Sequence, residues 1–226
     1  MGLVKLCGMV RQSDIQAGES AGADYLGLVI EFPRSPRSLS LEAARQLIVE
    51  SSASFVAVVV DPDDDLLLAI MNTIRPASIQ LSGGERPTRV RELNTRFPSV
   101  QFWKVLHVGV LGTAEDVRMS MDRILQYRDA GVDTVMIDAD VKGTPGGTGQ
   151  RLNWESARQI VATAPVSVIL AGGLSPSNIR EAISICMPAG VDVSSGTESA
   201  PGVKDHKLMA AFTREARQSF ADIKRT

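Results

Sequence analysis

A thiol, an ammonium and a carboxylate set the first chemical question. Cys7 follows Lys5 by two residues in the stretch VKLCG. In an extended chain alternate side chains share a face, so both groups point the same way. A neighbouring cation favours thiolate, and a thiolate can serve as a general base. The competing reading makes Cys7 a small buried hydrophobe, as a lone cysteine commonly is. Asp138 closes the apolar run TVMID. A carboxylate there is either a hydrogen-bonded structural group or a general acid with a tuned pKa. Arg37, in the stretch RSPRS, offers a fork-shaped donor suited to a carboxylate, or is simply a solvated arginine.

Two glycine motifs point to an anion. Gly172 and Gly173 stand in LAGGL; Ser194, Ser195 and Gly196 follow Asp192 in VDVSSG. Glycine lets backbone N–H groups approach an anion with no Cβ in the way, and a short helix start after the second motif would add partial positive charge. Either motif alone could be no more than a tight strand-to-helix turn. Both together favour phosphate. A third stretch, Gly143 to Gly149, is expected to be a lid or a surface excursion. Trp103 and His107 are expected to pack, and His206 to lie at the surface.

These groups need a scaffold, and the chain alternates. Strands are predicted in VKLCGM, YLGLVIEF, SFVAVVVD, ASIQLSG, VQFWKVLHV, TVMIDAD, VSVILAGG and GVDVSSG. Several are apolar throughout, as strands of a parallel sheet buried on both faces are. Helices are predicted over Ser13–Ala21, Ser40–Glu50, Asp63–Ile74, Arg86–Thr95, Ala114–Ala130, Asn153–Thr163, Pro176–Ile185 and Lys204–Ile223, the seventh with Ser175 as its cap and Pro176 in its first turn. Eight strand–helix units without a linker predict a single (β/α)₈ barrel of the α/β class over residues 1–226. In such a barrel the site lies at the C-terminal strand ends. Lys5, Cys7, Gln80, Asp138, Gly172, Gly173, Asp192 and Ser194–Gly196 all fall there, and Arg37 lies just beyond the second strand.

Composition excludes other classes. With 24 Lys+Arg against 26 Asp+Glu the net charge is −2, so nothing draws the chain to nucleic acid or to an anionic membrane. Two cysteines and two histidines in unrelated contexts assemble no zinc site. The start MGLVKLCGMV lacks the pattern of a secretory signal, and no run is long enough to span a membrane. A cytoplasmic protein is expected.

Taken in order, KLCG, SPRS, MID followed by GGTG, LAGGLSPSNI, and VDVSSGTES with PGVKD resemble phosphoribosylanthranilate isomerase of tryptophan biosynthesis, from about Val4 to the last helix. The resemblance implies an Amadori rearrangement of N-(5-phosphoribosyl)anthranilate to 1-(2-carboxyphenylamino)-1-deoxyribulose 5-phosphate, in a monomer or homodimer, with no cofactor or metal. It implies Asp138 as general acid on the ribose ring oxygen and Cys7 as general base on the second sugar carbon. It assigns Arg37 to the anthranilate carboxylate, Gly172, Gly173, Ser194, Ser195 and Gly196 to the phosphate, and Asp192 to the rim near the substrate, with Lys5 and Gln80 beside it. One departure is plain: the family usually has histidine and glycine after the fourth strand, where this chain has Ser82-Gly83-Gly84-Glu85, which keeps Gln80 but removes an imidazole from the rim. Asp140 and Lys142 vary the loop after Asp138, and a long connection runs from Gly109 to Asp116. Two alternatives stand beside the isomerase. A related phosphosugar isomerase with another aglycone has less need of Arg37, and a silent phosphosugar-binding homologue has less need of both Cys7 and Asp138.

Overall fold

In the computed structural model, which describes residues 2–108, 111–138 and 153–223, eight parallel strands close into a barrel. They are β1 (Leu3–Cys7), β2 (Tyr25–Ile30), β4 (Phe55–Val59), β5 (Ser78–Leu81), β6 (Phe102–His107), β7 (Thr134–Asp138), β8 (Ser167–Leu170) and β9 (Gly190–Val193). The order round the barrel is β1, β9, β8, β7, β6, β5, β4, β2, and the β1–β2 pairing closes the ring. Helices α1 (Gln12–Ala21), α2 (Leu41–Ile48), α3 (Asp64–Thr73), α4 (Pro87–Arg96), α5 (Ala114–Asp129), α6 (Trp154–Thr163), α7 (Ile179–Cys186) and α8 (His206–Ile223) follow the strands in turn. The predicted (β/α)₈ barrel is thus the observed fold.

Strand periodicity sorts the side chains into two cores. Val56 and Val58 of β4 join Trp103, Val105 and Met136 inside the barrel, while Ala57 and Val59 face the helices. Trp103 is packing, as expected, with Tyr25 edge-on to its ring at 5.2 Å. The same alternation turns Lys5, Cys7, Gln80, His107, Asp138 and Asp192 inward, because their strand neighbours Leu6, Leu81, Leu106, Ile137 and Val191 lie in the outer core.

Local chemistry starts most helices where it should. Ser40, Asp63 and Asn153 each accept a hydrogen bond from a first-turn N–H, and Thr113 with Asp116 forms a capping box. Two predicted helix starts are wrong. Pro176 lies in a turn, and α7 begins at Ile179, because the Asn178 amide donates to Gly173 O at 2.9 Å and accepts from Ser175 N at 2.8 Å, which holds the preceding residues in a loop. Lys204 lies in β11 (Val203–Lys204), paired antiparallel with β10 (Glu198–Ala200), and α8 starts only after Asp205, whose carboxylate accepts from Lys207 N and Leu208 N. This hairpin and the two-residue strand β3 (Ser38–Leu39) are absent from the sequence reading, while the short helix start expected after the VDVSSG motif is a 3₁₀ turn at Ser195–Thr197.

Candidate active site

The strand order arranges the mouth of the barrel. Cys7 ends β1 and Asp138 ends β7, and the two strands between them, β9 and β8, lead into the glycine motifs. The two glycine motifs therefore lie between Cys7 and Asp138.

At β1, Lys5 and Cys7 share the inner face as predicted. Lys5 Nζ donates to Asp192 Oδ1 at 2.7 Å, and its side chain is fully buried. Burial opposes the Lys5 charge, but Asp192 and Cys7 outweigh it and raise its pKa. Burial pushes the Cys7 thiol up; Lys5 draws it down without overcoming that. The net shift is thus upward and not the depression expected from a neighbouring cation, because burial outweighs Lys5 and the Asp192 carboxylate adds to it. Gly27 of β2, opposite Cys7 in register, makes room for both groups. A Cβ placed there would lie 2.7 Å from Cys7 Sγ and 3.1 Å from Lys5 Nζ. A lone glycine inside the apolar run YLGLVI was the available signal for such a close approach.

Gly172 and Gly173 adopt left-handed backbone at φ 82° and 65°, conformations that a side chain disfavours. Gly196, in the 3₁₀ turn after β9, packs its backbone directly on Leu174 O, where any Cβ would overlap the carbonyl. The two predicted anion loops thus meet at backbone contact. Ser194 turns back toward β1, and its Oγ would lie 3.2 Å from a Cβ on Gly8. Gly8, at φ 81°, also lets the Arg37 side chain cross the end of β1, since a Cβ there would be 2.5 Å from Arg37 Cδ.

Arg37 is gripped from one side. Its Nε and Nη2 donate to the two carboxylate oxygens of Glu198 at 2.7 and 2.6 Å. Lys204 Nζ donates to Glu198 Oε1 at 2.9 Å and to Ser194 O at 2.8 Å. Burial alone would raise the Glu198 carboxyl; the bonds from Arg37 and Lys204 bring its pKa down to about 2. Glu198 and Lys204 were both missed, for no local pattern ties them to a residue more than 150 positions away.

On the far wall Gln80 Nε2 donates to Ser82 Oγ at 3.1 Å. His107, at the end of β6 and beside Asp138 in register, places Nε2 3.3 Å from Ser82 O. A carbonyl can only accept, so that nitrogen carries the proton. The rim thus holds an imidazole one strand away from Ser82. Among the described residues, Gln80 Oε1 and His107 Nδ1 are buried side-chain atoms without a partner, and either can bond a ligand. The Ser82–Glu85 loop is fixed from behind by Lys104, whose ammonium donates to Glu85 Oε2 at 2.6 Å, Gly83 O at 2.9 Å and Leu81 O at 3.2 Å. The glycine-rich stretch Gly143–Gly149, with Asp140, Lys142 and the expected lid at Gly146, lies outside the described residues. Among the described residues no cluster of three or more His, Cys, Asp or Glu could hold a metal ion. None of their helices is long and apolar enough to cross a membrane.

Comparison with known proteins points the same way. The family model described as N-(5'phosphoribosyl)anthranilate (PRA) isomerase matches residues 4–215. An N-(5'-phosphoribosyl)anthranilate isomerase of Rhodopseudomonas palustris is 41% identical over 219 residues, covering 95% of each chain. A solved structure of monomers generated from the dimeric isomerase of Thermotoga maritima matches with a TM-score of 0.80 at 29% identity, covering 96% of this chain and 100% of the other. A phosphoribosylanthranilate isomerase solved with reduced 1-(o-carboxyphenylamino)-1-deoxyribulose 5-phosphate matches with a TM-score of 0.78 at 28% identity, again covering 96% and 100%. With near-complete coverage in both directions and a matching barrel, this chain belongs to the N-(5'-phosphoribosyl)anthranilate isomerase family.

Proposed function

We propose that this member of an isomerase family of tryptophan biosynthesis converts N-(5-phosphoribosyl)anthranilate to 1-(2-carboxyphenylamino)-1-deoxyribulose 5-phosphate, with Asp138 as general acid and Cys7 as general base. The observation that carries the assignment is the strand order: acid and base flank the two anion loops. A phosphate held by Gly172, Gly173 and Ser194–Gly196 fixes one end of the sugar between them. Arg37, beyond β2, takes the carboxylate at the other end. Two cations against one carboxylate in the Arg37–Lys204–Glu198 cluster leave a positive charge for that anion. Lys5, Gln80 and Asp192 line the sugar's path.

The chemistry balances within the substrate. Asp138 gives a proton to the ring oxygen, the C1–O bond breaks, and the nitrogen lone pair forms C=N. Cys7 removes the proton from C2, and the C–H electrons form the enolamine. Protonation at C1 and loss of the C2 hydroxyl proton then give the ketone. C1 is reduced as C2 is oxidised, so no external redox partner is needed. The base must be a free thiol, which suits a reducing compartment such as the cytoplasm. A monomer or homodimer with a single small-molecule substrate completes the reading.

The test is direct. Anthranilate and phosphoribosyl pyrophosphate are supplied with the upstream transferase, and loss of the fluorescent phosphoribosylanthranilate is followed. Turnover no faster than the uncatalysed background overturns the assignment. The pH profile gives a second check. A base works deprotonated, and the Cys7 thiol titrates above its ordinary value because burial outweighs Lys5. Where Asp138 stays protonated, the free-enzyme kcat/KM is therefore expected to rise with pH, approaching tenfold per unit on the acid side of the thiol. That rising limb should be gone in Cys7→Ser, and a limb unchanged in the variant would remove the thiol from that role.

A further inference from the structure

We infer that Glu198 is the positioning residue for Arg37, and that the β10–β11 hairpin carrying it ties the carboxylate-binding end of the site to the phosphate-binding end. The inference rests on Arg37 and Ser194 having the substrate roles given above.

The geometry is specific. A guanidinium has two edges that present paired N–H donors, and Glu198 occupies the one formed by Nε and Nη2 in a two-pronged pair. This pairing fixes both the plane and the rotation of the group. The edge formed by Nη1 and Nη2 remains to meet a ligand carboxylate, and the Arg37 side chain keeps one-fifth of its surface exposed while that of Glu198 keeps 3%. Glu198 is held in turn. Lys204, its cross-strand partner, donates to Glu198 Oε1, and Gly202 N donates to Glu198 Oε2 at 3.2 Å. The backbone of Gly202 packs against Pro36 O, leaving no space for a Cβ, so the hairpin tip is seated on the loop that carries Arg37. Arg11 anchors the other strand by donating to Lys204 O at 3.0 Å.

The same ammonium that holds Glu198 donates to Ser194 O in the phosphate loop. Two points meant to grip the two ends of one substrate therefore share a buried lysine. A shift at Ser194 moves Lys204, then Glu198, then the plane of Arg37. Sequence distance hides this chain of contacts, while the fold makes it contiguous.

A competing role has the opposite sign. A carboxylate already on Arg37 could act as a stand-in that the substrate must displace. Positioning predicts that Glu198→Gln raises KM, whereas displacement predicts that it lowers KM. The experiment measures kcat and KM for Glu198→Gln, Arg37→Ala and the double variant, with phosphoribosylanthranilate and with the aniline analogue that lacks the carboxylate. Expected is a rise in KM for the natural substrate of roughly tenfold or more in Glu198→Gln, with a smaller change in kcat. The aniline analogue is expected to show a change of no more than about twofold. The double variant should be no worse than Arg37→Ala alone, because Glu198 acts through Arg37. Glu198→Asp keeps the charge but shortens the reach, and should fall between the wild type and Glu198→Gln. A lowered KM in Glu198→Gln, an equal loss on both substrates, or additive losses in the double variant would each overturn the positioning role. An inactive wild type would instead overturn the functional reading on which it rests.

Discussion

Serine in place of Cys7 is expected to lower kcat by on the order of 10²–10⁴, the range typical of a lost general base. The exchange is nearly isosteric, and a hydroxyl beside Lys5 has an ammonium to bond, so the barrel should fold unchanged. What is lost is basicity: a serine hydroxyl does not ionise near neutral pH. Asp138→Asn should cost a similar factor, since an amide cannot release a proton to the ring oxygen. KM should stay within a few-fold in both, because the phosphate loops and Arg37 are untouched. The two variants should not multiply. Ring opening needs the acid and C2 deprotonation needs the base, and the steps follow one another. When both are slow, the slower one sets the rate, so the double variant should run close to the worse single variant. Stopped-flow fluorescence on substrate generated in place measures all three. Single variants within threefold of wild type would leave the barrel intact and remove the acid–base pair.

Much of this was legible in the sequence, for a physical reason that also marks its limit. Barrel strands are buried on both faces, so Phe55–Val59 and Thr134–Asp138 read as apolar runs with no tertiary knowledge. The predicted start at Ser40 matches α2 because an N-cap is local, its side chain accepting from Ala43 N. Cys7, Asp138 and the two glycine motifs stood out because each sits at a strand end, where the fold class places the site. What failed depends on distant partners. Lys204 reads as the first turn of α8, but its ammonium is drawn to Glu198 and Ser194, and its backbone pairs with β10. Pro176 reads as a helix start, but Asn178 folds the chain back on Gly173. His107 reads as packing by its strand position, and only the structure sets its ring against Ser82 with one nitrogen unpartnered.

Removing the carboxylate of Glu85 is expected to cost more stability than any other change argued here. Lys104 lies on β6, facing the helices, with its side chain 1% exposed. A lysine so placed is tolerable only if its charge is met, and burial does press its pKa down. Glu85 meets that charge with Oε2, while its Oε1 accepts from Asp61 N at 2.8 Å and Gly83 N at 3.1 Å. Tyr127 OH donates to Glu85 O at 2.7 Å, pinning the backbone as well. Glu85→Ala strands a buried ammonium and two backbone N–H groups together. Breaking one partner of a buried pair costs about 3–5 kcal/mol, which for a chain of this size lowers Tm by on the order of 10 °C. Lys104→Met in the same background should recover much of that loss, because a buried pair replaced by apolar packing is often neutral. Calorimetry on the single and double variants measures both terms, and a single-variant loss below about 1 kcal/mol would mean that water reaches Lys104. Stability and turnover should also separate. The double variant regains stability but not the hold of Lys104 on Gly83 O and Leu81 O, which fixes the loop bearing Ser82. Its KM should therefore stay raised after its Tm has returned, because the loop that supports Gln80 and His107 is set by the ion pair and not by apolar packing.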